Sequence, residues 1–348
     1  MLQGYSKPQL VILTVCALVF LVSAFTLGNY VLQAAKQQQA LKEAAQLYSQ
    51  AGRESAEENP AGEGSQSQEP VPKNAGNAPA MDSAAAESVA PLPDPMPTAA
   101  LAKAASGAPE ENAAPALPTE PPPRSFERDY PDNKPGRVRE KFHDLLDINE
   151  DIVGWIKIGS FLNQPVVKKD NVFYLNHNYK KEENPAGAIF MDEEADLRTR
   201  PENLVLHGHN MRDGSMFGKL IHYKSDAGTK FFLENSFVRF DSLYQDSQYV
   251  IFSVFEIETD YDSPNYFPFV AYQRFHSDQD ARNFISEVKG RSIIKVPIDV
   301  NEKDSLMTLA TCTLNSETTR LLVVARRLRA EENMSDLNNA LYQSVKIR

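Results

Sequence analysis

Cysteine is scarce in this 348-residue chain: Cys16 lies in an apolar N-terminal stretch, and Cys312 stands alone in the remainder. Cys312 ends the strand-like run Leu306-Met-Thr-Leu-Ala-Thr-Cys, and Arg320 follows eight residues later, ahead of a second run, Leu-Leu-Val-Val-Ala. A segment built for an oxidising exterior usually pairs its thiols or omits them, so a lone thiol kept there points to nucleophilic catalysis. The competing reading is a small buried hydrophobe on a strand. A free thiol with a pKa of about 8.5 is only a few per cent thiolate at neutral pH and needs a group that takes or stabilises its charge.

Of the six histidines, His209 is the best placed for that task. It follows Leu204-Val-Leu-His-Gly and enters the turn His-Asn-Met-Arg-Asp-Gly, a loop-at-strand-end setting that often carries catalytic residues. His207, two residues earlier, competes for the role, and a structural part is the ordinary fate of one histidine in a β domain. If the runs flanking residues 313–319 pair as a hairpin, Cys312 and Arg320 face each other. A guanidinium there offers charge-assisted hydrogen bonds to an oxyanion or a substrate carbonyl. Arg326 and Arg327 read as solvent-facing or paired charges.

The elements that must position these residues are mostly short strands. Val138 to Leu146 places apolar side chains at helical spacing and opens the folded part. A turn then leads into a strand carrying Trp155, the only tryptophan. β-rich runs follow at Pro165-Val-Val, Ala188-Ile-Phe-Met, Asn203-Leu-Val-Leu-His, Phe237-Val-Arg-Phe and Tyr249 to Phe255, then the two strands around the Cys312–Arg320 loop. Asp278 to Lys289 reads as a helix with Ala281, Phe284, Ile285 and Val288 on one face. Many short strands with few helices predict a mainly β fold, a closed or nearly closed barrel with helical decorations. Leu337, Leu341 and Val345 form a stripe suited to a short amphipathic helix in the tail.

Residues Pro8 to Ala35 carry no charge, and the apolar run is long enough to cross a hydrocarbon core. An uncleaved anchor with the N-terminus inside fits better than a cleaved signal peptide, and both export the rest of the chain. Residues 51–125 hold 14 of the 23 prolines and a net charge of −7, and no aromatic residue occurs between Tyr48 and Phe126. Such a composition cannot bury enough apolar surface to offset chain entropy, which predicts a disordered spacer, about 50 Å root-mean-square as a flexible coil. The expected organisation is 1–8 cytoplasmic, 9–32 the membrane anchor, 33–50 a juxtamembrane helix, 51–125 the linker, 126–330 the folded domain and 331–348 a tail or short helix. The whole chain carries −11 and no basic run, which argues against nucleic acid as a partner.

Thr308-Leu-Ala-Thr-Cys312 with Arg320 behind it, preceded by Leu206-His-Gly-His-Asn-Met-Arg-Asp-Gly-Ser-Met-Phe217, resembles the sortase family, its class B branch in particular. Asp147 to Ile156, Asn163-Gln-Pro-Val-Val, Asn171 to Leu175 and Ala188 to Asp192 extend the resemblance over about residues 137–328. It implies an eight-stranded sortase-type β-barrel with an N-terminal helix and a helix in the loop upstream of the cysteine strand. It further implies a membrane-anchored cysteine transpeptidase on a Gram-positive-type cell surface. Cys312 would attack the carbonyl after Thr in an Asn-Pro-x-Thr-type sorting signal of an exported protein. His209 would serve as general acid and base, and Arg320 would stabilise the oxyanion or position substrate. A peptidoglycan precursor amine or a pilin lysine would resolve the thioacyl-enzyme, with no metal and no cofactor. His207 stands where class B members often have Tyr and Ala310 where Ser is common, so His207, Ala310 and Thr311 are the expected substrate-groove residues.

Two other readings compete. A thiol hydrolase would form the same acyl-enzyme and pass it to water. A non-enzymatic binding or zinc module would draw on His207, His209 and Cys312, though no Cys-x-x-Cys or His-x-x-x-His spacing supports a metal site.

Overall fold

Apolar runs between Ile152 and Arg327 pair into eight strands that close on themselves. The computed structural model describes residues 7–58, 137–198, 201–225, 227–313 and 316–347. The barrel strands are β1 (Ile152–Ile158), β2 (Leu162–Val167), β3 (Ile189–Met191), β4 (Asn203–His207), β5 (Phe237–Ser242) and β6 (Asp246–Glu258). After β7 (Ile294–Lys295), which lies outside the barrel, come β8 (Leu306–Thr313) and β9 (Ser316–Arg327). Their order around the barrel is β1-β2-β3-β4-β8-β9-β6-β5, and β5 closes it onto β1. Two contacts are parallel, β2 with β3 and β4 with β8; the rest are antiparallel. A parallel pair needs a long crossover, and the β4-to-β8 crossover contains the helices Gly228–Glu234 and Asp278–Arg291 and the strands β5 to β7. The expected mainly β, closed eight-stranded architecture is the one observed.

Strands buried on both faces read as unbroken apolar runs. All five residues of β4 are buried, as are Leu306 to Ala310 of β8 and Leu321 to Ala325 of β9. Closure removes the free edges that these runs would otherwise expose.

The helix expected at 278–289 spans Asp278–Arg291 between β6 and β7. Ser277 caps it by accepting from the Asp280 amide, and Asp278 and Asp280 open it while Lys289 and Arg291 close it, which suits the helix dipole. Ala281, Phe284, Ile285 and Val288 are all buried, and the Ser253 hydroxyl on β6 donates to the Val288 carbonyl at 2.6 Å. The C-terminal stripe forms a helix, Met334–Ser344, with Leu341 fully buried, and the last strand, β10 (Lys346–Ile347), pairs with β7. Arg326 is not solvent-facing: it is wholly buried, and its guanidinium grips Glu332 by two bonds of 2.6 and 2.8 Å.

At the N-terminus, one helix, α1, runs from Lys7 to Glu58 with no break at residue 32 or 50. Its stretch from Ile12 is long and apolar enough to cross a membrane. Beyond it, α1 packs against a second core cluster with Phe142, Leu145, Trp155, Tyr174 and Tyr179. The helix expected near 138–146 appears as a 3-10 turn, Glu140–Phe142, followed by α2, His143–Ile148. The linker expected at 51–125 lies, past Glu58, outside the described residues, as does the segment 1–6 of the expected cytoplasmic terminus.

Candidate active site

Register places the key residues. On the antiparallel pair β8–β9, Cys312 stands opposite Arg320, just before a bulge between Cys312 and Thr313. The strands run further than the seven-residue loop suggested, since Thr313 still pairs with Ser316. On its other side Arg320 stands opposite Ile257 of β6, so it occupies an interior strand and is 7% exposed. Its Nη1 donates to the Thr319 carbonyl at 3.2 Å.

β4 runs parallel to β8 with Asn203 opposite Leu306 and His207 opposite Ala310. The Gly208 amide donates to the Ala310 carbonyl at 3.2 Å, which holds the chain to β8 beyond the strand's end. His209 follows one residue later, at the end of the seam that leads toward Cys312 on β8. Glycine at 208 is a packing necessity: a Cβ there would lie 2.7 Å from the Phe217 ring.

His209 is half-buried, and its Nε2 lies 2.6 Å from the carbonyl oxygen of Leu175. A carbonyl only accepts, so Nε2 carries the hydrogen and the neutral ring keeps its lone pair on Nδ1. Burial pulls the His209 pKa below its ordinary value; the Leu175 carbonyl opposes this, and the positive charge of Arg320 adds to it. Leu175 ends the 3-10 turn Phe173–Leu175, and Gly187, at φ +60°, fits against this segment where a Cβ would meet the Tyr174 carbonyl at 2.4 Å.

His207 has a different environment. It is buried, with Nε2 donating to Asp192 at 2.9 Å and its ring against Phe190 and Phe269. Asp192 also accepts from Gln273 at 2.7 Å, from Asn171 at 3.1 Å and from the Glu194 amide at 3.1 Å. Burial pushes the Asp192 carboxyl up, but hydrogen bonds from His207 and Gln273 and the charge of His207 outweigh it and hold the group below its usual range. Ala310 is buried between His207 and Leu322. Thr311, opposite Leu321, alternates to the other face of β8 from Ala310 and is 2% exposed. None of the three expected groove residues is open to solvent.

Sequence reasoning missed the Leu175 carbonyl, which has no side-chain signature, and the roles of Asp192 and Gln273. Asp192 stood inside a motif that carried the family resemblance, with nothing in the sequence to tie it to His207.

The Sortase domain family matches residues 157–328. Sortase B of Staphylococcus aureus is 37% identical over 194 residues, 55% of this chain and 75% of that protein. Sortase B of Listeria monocytogenes is 33% identical over 182 residues, 52% and 70% of the two chains. The crystal structure of sortase B from Bacillus anthracis in complex with AAEK2 aligns over 59% of this chain and 92% of that one, with 32% identity and a TM-score of 0.49. The chain belongs to the sortase family, and it is a cysteine transpeptidase. Within the family it falls in class B, the branch of both sequence relatives.

Proposed function

We propose that Cys312 is the nucleophile, His209 the proton carrier and Arg320 the oxyanion-stabilising or substrate-positioning cation of this transpeptidase. The observation that supports the reading is the pairing of Cys312 opposite Arg320 on β8–β9, with His209 following directly on the Gly208 amide that is bonded to Ala310 of the same strand β8. The substrate is an exported protein with a C-terminal sorting signal of Asn-Pro-x-Thr type. The acceptor is a peptidoglycan precursor amine or a pilin amine.

In this mechanism neutral His209, its Nε2–H committed to Leu175, takes the thiol proton at Nδ1 as sulfur bonds to the Thr carbonyl carbon. The carbonyl electron pair moves to oxygen, where the Arg320 guanidinium offers its hydrogen bonds. Collapse of this adduct breaks the C–N bond, and the proton on His209 passes to the leaving amine. An incoming amine then gives its proton to His209 while attacking the thioester; the C–S bond breaks and the thiol is restored. The apolar part of α1 spans the cell membrane, and the barrel works on the extracytoplasmic face, where both substrates emerge.

The test is mass spectrometry of the full chain with a signal peptide, with and without an amine acceptor. A thioacyl adduct on the enzyme, absent in Cys312→Ala at unchanged thermal stability, and an amine-dependent product are expected. An adduct persisting in Cys312→Ala removes the nucleophile assignment; products indifferent to amine mean hydrolysis.

A further inference from the structure

We propose that residues Gln37 to Tyr48 of α1 are a docking element that seats the barrel directly on the membrane surface, independently of residues 59–136, which join the two in sequence. The proposal rests on the apolar part of α1 being the membrane span and not on the catalytic assignments. From Ile12 to Leu32 the large apolar side chains of α1 are 47–71% exposed, as a lipid-facing helix requires. Exposure then ends on one face: Gln37, Ala40 and Ala44 are buried at 4, 7 and 0%, at the three- and four-residue spacing of a helix stripe.

The barrel domain itself covers that stripe. Gln37 donates to the Gly187 carbonyl at 3.3 Å, and Tyr179 donates to the Ala40 carbonyl at 2.8 Å. Lys180 pairs with Glu43 at 3.1 Å. Tyr48 completes the seam: its ring stacks on Trp155 at 4.5 Å and 5°, and its hydroxyl donates to buried Asp241. The small side chains at 40 and 44 let the helix approach closely, and the polar contacts at each end fix its rotation. Tyr30, Gln33 and Ala34 already line a cavity with Asn184 and Met211 of the barrel domain, so the docked barrel begins at the last turn of the apolar stretch. This seam holds the barrel at one height and one orientation.

The experiment uses the full chain in membrane vesicles, with a specific protease site replacing residues 84–90. After complete cleavage and sedimentation the barrel fragment is expected to stay with the membranes, its thermal midpoint unchanged. Release of the fragment to the supernatant overturns the proposal. Ala44→Arg, which forces a charge into the seam, should stay in the pellet uncut and lose the barrel to the supernatant once cut. Retention of the cut Ala44→Arg barrel would mean that some other surface holds it, and the docking assignment falls. Uncut chain in the supernatant would instead remove the membrane-span reading on which the proposal stands.

Discussion

Two histidines two residues apart meet opposite demands, and their surroundings separate them. His207 is buried against a carboxylate that three other donors also hold, whereas His209 is fixed at one nitrogen only, by a backbone carbonyl. His207→Ala leaves Asp192 buried without its principal partner, which should cost about 3 kcal/mol of stability. Urea unfolding checks this, and the variant should still form acyl-enzyme at low temperature; failure to do so would make His207 the base. For His209, the lowered pKa means that the folded chain binds this proton less readily than the unfolded chain. The associated stability is complete above about pH 6.5 and is lost as pH falls toward the lowered value. Activity that needs the neutral ring falls over the same acid range. Arg320→Gln removes a positive charge that helps hold the His209 pKa down, so the His209 midpoint, read by NMR, should move up. An unmoved midpoint would separate the two residues. Cys312, Arg320 and His209 could be singled out in the sequence because a lone cysteine is rare and their spacing fits a hairpin and a strand end, and the structure pairs Cys312 with Arg320. Asp192, Gln273 and the Leu175 carbonyl could not, since they meet the histidines only through tertiary packing.

At the scale of elements, the site depends on the parallel seam between β4 and β8. The seam continues past the strand through the Gly208 amide, bonded to Ala310 one residue before His209. Gly208→Ala drives a methyl group into the Phe217 ring, at 2.7 Å in the present packing. Overpacking of this kind costs about 1–3 kcal/mol and displaces the loop that carries the histidine. The expected result is a kcat reduced more than KM is raised, with partial recovery in Gly208→Ala/Phe217→Leu, where the ring is gone. A kcat unchanged by Gly208→Ala would show that the loop's position is set elsewhere. The strands themselves could be read from runs such as Asn203 to His207 and Leu306 to Thr311, because burial on both faces leaves an apolar signature. Their parallel pairing could not: about a hundred residues separate β4 from β8, and no local pattern records which strand meets which.

For the molecule as a whole, the helix α1 carries the apolar N-terminal stretch onto the barrel's second core, a contact invisible to sequence reading because residues 59–136 intervene. Local composition does mark residues 33–50 as helical, but nothing in it says that Tyr48 will face Trp155. That pairing gives the chain a built-in reporter, since Trp155 is the sole tryptophan, 2% exposed, with Nε1 donating to Asn163 at 2.8 Å. In Tyr48→Ala one face of the indole loses its cover and Asp241 loses a hydroxyl donor, while Lys141 and Arg239 still neutralise the carboxylate. Loss of the stacked ring should cost about 3 kcal/mol and move Trp155 emission to longer wavelength. Tyr48→Phe separates the two contributions: it keeps the ring and gives up only the bond to Asp241. Emission of that variant should match the parent, with a stability loss of about 1 kcal/mol. Emission identical in Tyr48→Ala and the parent would mean that α1 does not cover Trp155 in solution, and the second core would then close without the helix.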